Sequence, residues 1–168
     1  MENHADLLRR LNAHRDSLEW QQTAGKCQLR VNSDATLADL QDDCDFLGTT
    51  GWLWRSQRSL VVIFDIDSAT GHPVGLTSEQ MTTVVDQLKT LPYVEIRRSK
   101  GGLGVHAFVW LNDETQIANH AEHTCVARMV LAQMVKDLGN DVLTRKGTLD
   151  CIGSNIWVDA KGHVFGDN

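Results

Sequence analysis

Leu60-Val61-Val62-Ile63-Phe64-Asp65-Ile66-Asp67 reads as a β-strand that ends in two carboxylates. Side chains alternate along a strand, so Asp65 and Asp67 share one face, and Val62, Phe64 and Ile66 the other. Two acids at i and i+2 are placed to share a divalent cation. Outward from this strand, Ser68-Ala69-Thr70-Gly71-His72-Pro73 reads as a loop. Thr77-Ser78-Glu79-Gln80 then has the spacing of a capping box, opening a helix that runs to about Leu91 before Pro92.

Two further strands are expected at Val94–Arg98 and Val105–Leu111, joined by Ser99-Lys100-Gly101-Gly102-Leu103-Gly104. A glycine-rich turn leading into His106 can approach phosphate oxygens through backbone N–H groups. Asn119 with Glu122 caps a second helix, which Gly139-Asn140 would stop after Leu138. A short strand follows around Thr148–Cys151, and another is suggested at Asn155–Val158. The order β-α-β-β-α-β is that of the split βαβ or ferredoxin-like motif, which sets the first strand between the third and fourth. The fold class expected is therefore α+β.

Parity gives an independent reading of the site. His106, Phe108 and Trp110 oppose Val105, Ala107, Val109 and Leu111, and Asp150 opposes Leu149 and Cys151. With the aliphatic faces under the two helices, Asp65, Asp67, His106 and Asp150 emerge together on the sheet's other, open face. Asp159 competes with Asp150 as third acid, but parity and flanking residues favour Asp150. Of Arg97 and Arg98, at most one faces the cleft. His120, His123 and Cys125 have no clear fourth partner for a zinc site.

Residues 1–59 are less regular and read as a small N-terminal α/β module. A helix is expected over 4–20, a strand at Lys26–Val31, a short acidic helix from Thr36 to about Phe46, and a turn at Gly48–Gly51. Residues 60–158 form the metal-binding unit and 159–168 a tail, in one domain.

Composition narrows the function classes. A 42% hydrophobic and 23% charged chain is ordinary for a globular protein. No apolar run is long enough to span a bilayer and the polar start lacks a signal pattern, so the cytoplasm is the expected location and no membrane partner is expected. Cys27, Cys44, Cys125 and Cys151 form no CxxC pair and are expected to stay reduced. A net charge of −6 argues against non-specific nucleic-acid binding by the whole surface, though Arg97, Arg98 and Lys100 cluster locally.

Taken together, Asp65/Asp67, Ser99 to His106, Ala118-Asn119-His120-Ala121-Glu122-His123, and Leu149-Asp150-Cys151-Ile152-Gly153 with Trp157 resemble the archaeo-eukaryotic primase superfamily, primase-polymerase type. The resemblance covers about residues 59–158. It implies an RRM-like catalytic unit that transfers nucleotides to a 3′-hydroxyl on a template. Asp65, Asp67 and Asp150 would be catalytic and hold two Mg²⁺ or Mn²⁺ ions. Ser99, Lys100, Gly101, Gly102, Gly104 and His106 would bind the triphosphate of an NTP or dNTP. Single-stranded DNA template and primer are the implied partners, with a replicative helicase as a further candidate. Many relatives carry a small hydroxyl residue at the place of Lys100 and a basic one at the place of Leu103. Two alternatives remain: a metal-dependent nuclease, and a nucleotide- or nucleic-acid-binding module with little catalysis.

Overall fold

The structure, a computed structural model, describes residues 4–40, 46–68, 74–99, 101–112, 116–139 and 156–159. Over the described residues it is an α+β fold with two antiparallel sheets and four helices. The first sheet has strand order β2-β1-β3-β4, from β1 (Leu18–Ala24), β2 (Cys27–Val31), β3 (Phe46–Leu53) and β4 (Arg58–Ser59). The second has order β6-β7-β5-β8, from β5 (Val61–Ser68), β6 (Glu95–Arg98), β7 (Val105–Trp110) and β8 (Ile156–Asp159). The helices are α1 (His4–Asn12), α2 (Asp34–Leu37), α3 (Ser78–Leu88) and α4 (His120–Asp137).

Local chemistry sets the helix starts. Thr77 Oγ1 accepts from the Gln80 amide at 3.2 Å, and Gln80 Oε1 accepts from the Thr77 amide at 2.9 Å, a reciprocal cap for α3. Asn119 caps α4 by accepting from the Glu122 amide at 3.0 Å. These two helices cover one face of the second sheet. Val62, Phe64, Ile66, Val105, Ala107 and Val109 pack there with Met81, Val84 and Leu88 of α3 and Ala127, Leu131, Met134 and Val135 of α4. Burying a side chain such as Phe64 removes it from water for about 1.5–3 kcal/mol.

The opposite face departs from the open surface expected. Val61, Ile63 and Phe108 are buried against Leu7, Leu11, Leu18, Trp20, Val31 and Leu53 of α1 and the first sheet. The sheets come into close contact at Gly51, whose φ is +87° and where a Cβ would overlap the Val61 carbonyl. Only a residue without Cβ permits that approach. Apolar residues at both parities over 61–64 are the mark of a strand covered on both faces.

Other expectations also shift. The N-terminal helix ends at Asn12 rather than near residue 20, because Leu18 is needed in the core as the start of β1. Trp20 pins that reversal, its indole donating to the Arg15 carbonyl at 2.9 Å. Where the acidic helix is expected, the described residues hold a single short helix, Asp34–Leu37, capped by Ser33, and Phe46 begins β3; residues 41–45 of that expectation lie outside the described residues. Gly48–Gly51 is no turn but part of β3, paired with β1. The suggested strand at Asn155–Val158 is β8, Ile156–Asp159, beside β5, whereas Thr148–Cys151 lies outside the described residues. No helix among the described residues is long and apolar enough to cross a membrane.

Candidate active site

Register places the site. Asp65 of β5 lies opposite His106 of β7, and His106 lies opposite Arg97 of β6. Directly opposed residues of antiparallel strands share a face, so the three form a row across the sheet. This row sits beyond the half of the face buried by the first sheet. It also decides between the two arginines: Arg97 is on the site's face, and Arg98 pairs with Val105 on the other.

His106 is buried, with its Nε2 at 3.4 Å from Asp65 Oδ1, and the Asp65 side chain is partly exposed. Asp67 Oδ1 accepts from the Ser68 amide at 2.9 Å. The glycine turn closes over this second acid. The Ser99 amide donates to the Gly104 carbonyl at 3.0 Å, and the Gly104 amide donates to Ser99 Oγ at 2.9 Å. A Cβ on Gly104 would stand 3.0 Å from the Ile66 carbonyl oxygen and 3.6 Å from Asp67 Oδ1, so glycine lets the turn lie against the acid-bearing strand. The Gly102 amide donates to the Ser99 carbonyl at 2.8 Å, and Gly102 holds φ +71°. Gly101 and Gly102 face open space.

Gly102 and Gly104 thus shape the turn with their own amides, and Ser99 clasps it. The Ser99 hydroxyl, accepting from Gly104, still has a proton to donate. Lys100 and Asp150 lie outside the described residues. The backbone register places Asp159 opposite Asp65, the position a third acid on the fourth strand would take. Among the described residues no group of three or more His, Cys, Asp or Glu side chains is arranged to hold a metal. Asp65 and Asp67 bring two hard oxygen donors of the kind Mg²⁺ and Mn²⁺ prefer, and a third acid is needed to complete a set.

Arg97 is held from behind. Its Nε and Nη2 donate to Glu95 Oε1 at 3.1 and 2.7 Å. Glu95 Oε2 accepts from Trp110 Nε1 at 3.0 Å and Arg10 Nη1 at 3.2 Å, and the Arg10 guanidinium stacks 3.6 Å over the Trp110 ring. Burial pushes the Glu95 carboxyl up, but the Trp110 and Arg97 hydrogen bonds and the charges of Arg97 and Arg10 outweigh it and hold the group below its ordinary value. Glu95 escaped the sequence reading, although its i, i+2 spacing to Arg97 on a strand was the available signal. A cavity of about 480 Å³ opens beside this cluster, lined by Arg10, Lys89, Tyr93, Glu95 and Trp110 among others. It lies at the β6 edge, away from the acids.

A second histidine–carboxylate pair belongs to the frame. Glu19 of β1 is fully buried and accepts from Asn32 Nδ2 at 2.9 Å and Thr50 Oγ1 at 3.0 Å, with His120 Nδ1 at 2.8 Å. Next to it, His123 Nε2 lies 2.6 Å from the Thr50 carbonyl and Nδ1 2.8 Å from Ser59 Oγ. A carbonyl only accepts, so Nε2 carries the proton and Ser59 donates to Nδ1. Burial holds His123 below the ordinary histidine value. These contacts tie α4 to the first sheet, and His120 and His123 are occupied in them rather than grouped for zinc.

Comparison with known proteins gives fold-level information. No known protein-family model matches this chain, and no curated protein sequence does. Among solved structures, the polymerase domain from Mycobacterium tuberculosis ligase D, in complex with DNA, is similar at TM-score 0.50 and 13% sequence identity. The match covers 97% of this chain and 72% of that one. At such identity the likeness is one of fold.

Proposed function

We propose that this chain is a metal-dependent nucleotidyltransferase of the primase-polymerase type, extending or starting strands on a single-stranded DNA template. The observation that carries the reading is the meeting of Asp65, His106 and the glycine turn beside Asp67, in a fold like that of a polymerase domain. In this reading the second sheet with α3 and α4 is an RRM-like βαββαβ unit spanning 60–158. Residues 1–59 form the N-terminal α/β module flanking the cleft.

Asp65 and Asp67 would hold Mg²⁺ or Mn²⁺, with a third carboxylate from Asp150 or from Asp159. Two such ions supply activation of the attacking hydroxyl and stabilisation of the departing charge. The protein's own part is placement. His106 would donate to a triphosphate oxygen while Asp65 fixes its ring. The Ser99 hydroxyl, Lys100 and the amides at the tip of the turn would hold the remaining phosphates. Arg97, aimed by Glu95, adds positive charge on the same face. The 3′-oxygen forms its bond to the α-phosphorus, the bond to pyrophosphate breaks, and the hydroxyl proton leaves to solvent.

Incorporation of labelled deoxynucleotides and ribonucleotides on a single-stranded template, with Mn²⁺ and with or without primer, tests this reading. Asp150→Asn and Asp159→Asn run in parallel identify the third acid as the one whose loss stops incorporation. Cleavage of the template without triphosphates would instead make the site a nuclease.

A further inference from the structure

We infer that Val74 and Leu103 form an apolar lip that receives the sugar and base of the nucleotide whose phosphates lie at the glycine turn. This rests on the proposed function and specifies which part of the substrate meets which part of the site. Val74 is 65% exposed and Leu103 46%, two of the four large hydrophobic residues left exposed among the described residues.

The backbone of Leu103, and of Gly75 and Leu76 just after Val74, is fixed from several sides. The Leu76 amide donates to the Leu103 carbonyl at 2.7 Å. Gly75, at φ +64°, lies so close to Leu103 that a Cβ there would overlap the Leu103 Cβ. The clasp between Ser99 and Gly104 holds the turn's other end. Leu103 thus sits on constrained backbone, Val74 is next in sequence to the glycine that meets it, and Leu103 precedes the glycine that approaches the Asp67 carboxylate.

A phosphate-binding turn on its own accepts inorganic polyphosphate as readily as a nucleotide. Selectivity for the nucleoside needs a surface for its C–H groups and base face, and the lip is the apolar surface adjoining the turn. A surface already held in place loses little conformational freedom on binding.

The test is calorimetric titration of Mn²⁺-loaded protein with tripolyphosphate and with a deoxynucleoside triphosphate, comparing wild type, Leu103→Ala, Val74→Ser and Leu103→Met. Losing apolar contact at Leu103 should weaken nucleoside triphosphate binding roughly fivefold to tenfold while tripolyphosphate binding stays within about twofold. Val74→Ser should act in the same sense, and Leu103→Met should restore affinity. In incorporation assays the Leu103→Ala change should raise KM and spare kcat. Equal weakening of both ligands would make Leu103 only a prop for the turn, and no weakening of either would remove the lip from the site. A wild type that binds neither ligand would overturn the proposed function along with the lip.

Discussion

Two histidine–carboxylate pairs lie among the described residues, and they are built to opposite ends. His120 and Glu19 meet at 2.8 Å around a fully buried carboxylate that also accepts from Asn32 and Thr50. His106 and Asp65 stand 3.4 Å apart, the acid is partly exposed, and Asp65 has no other side-chain partner among the described residues. A buried charge survives folding when its lone pairs are filled, as those of Glu19 are. An acid left with capacity beside another acid, a buried histidine and a glycine turn is suited to ligands from outside. Saturation therefore marks the His120–Glu19 pair as part of the frame, and under the proposed function the His106–Asp65 pair is the one that would meet a ligand.

That contrast can be broken from either side. Glu19→Ala should destabilise the protein by roughly 2–4 kcal/mol, through a cavity and the buried Thr50 hydroxyl proton left without its acceptor. Denaturant unfolding measures the loss, while activity per folded molecule should hold. His106→Ala should do the reverse. Removing one charge-assisted contact of about 1.5–3 kcal/mol weakens triphosphate affinity roughly tenfold to a hundredfold. Its melting temperature should change less than that of Glu19→Ala.

The smallest effect expected is with pH. His123 is held below its ordinary value, so the unfolded chain takes up that proton first. Stability should be level above about pH 7 and fall as pH drops below about 6.5, by up to about 1.4 kcal/mol per unit. Glu95 is held below its ordinary carboxylate value, so its contribution is present near neutrality and is lost only as pH falls below about 4.3. Melting curves across about pH 2–8 should therefore show two separate declines, and His123→Gln should flatten the upper one.

Local signals were readable and non-local ones were not. The acid strand, the Thr77 capping box and the Asn119 cap each rest on residues within a few positions of one another, and the structure has them at those places. Pairing across the chain hides from such a reading. Thr49 and Thr50 sit among glycines that suggest a turn, yet they form a strand because Glu19, some thirty residues earlier, supplies their partners. Strand parity brought Asp65 and His106 to one face, but not the first sheet that covers the rest of that face. The signal lay in Val61-Val62-Ile63-Phe64, apolar at every position. Which arginine faces the cleft depended on the register between β6 and β7, which a flexible glycine turn leaves open.

The most direct measurement pairs nucleotide incorporation with thermal melting on the same samples of wild type, Asp65→Asn, Asp67→Asn and Glu19→Gln. Expected are Mn²⁺-dependent incorporation by wild type, none above background by either aspartate variant despite wild-type melting, and incorporation by Glu19→Gln despite a lowered melting temperature. A well-folded Asp65→Asn or Asp67→Asn protein that incorporates nucleotides at the wild-type rate would contradict the proposed function.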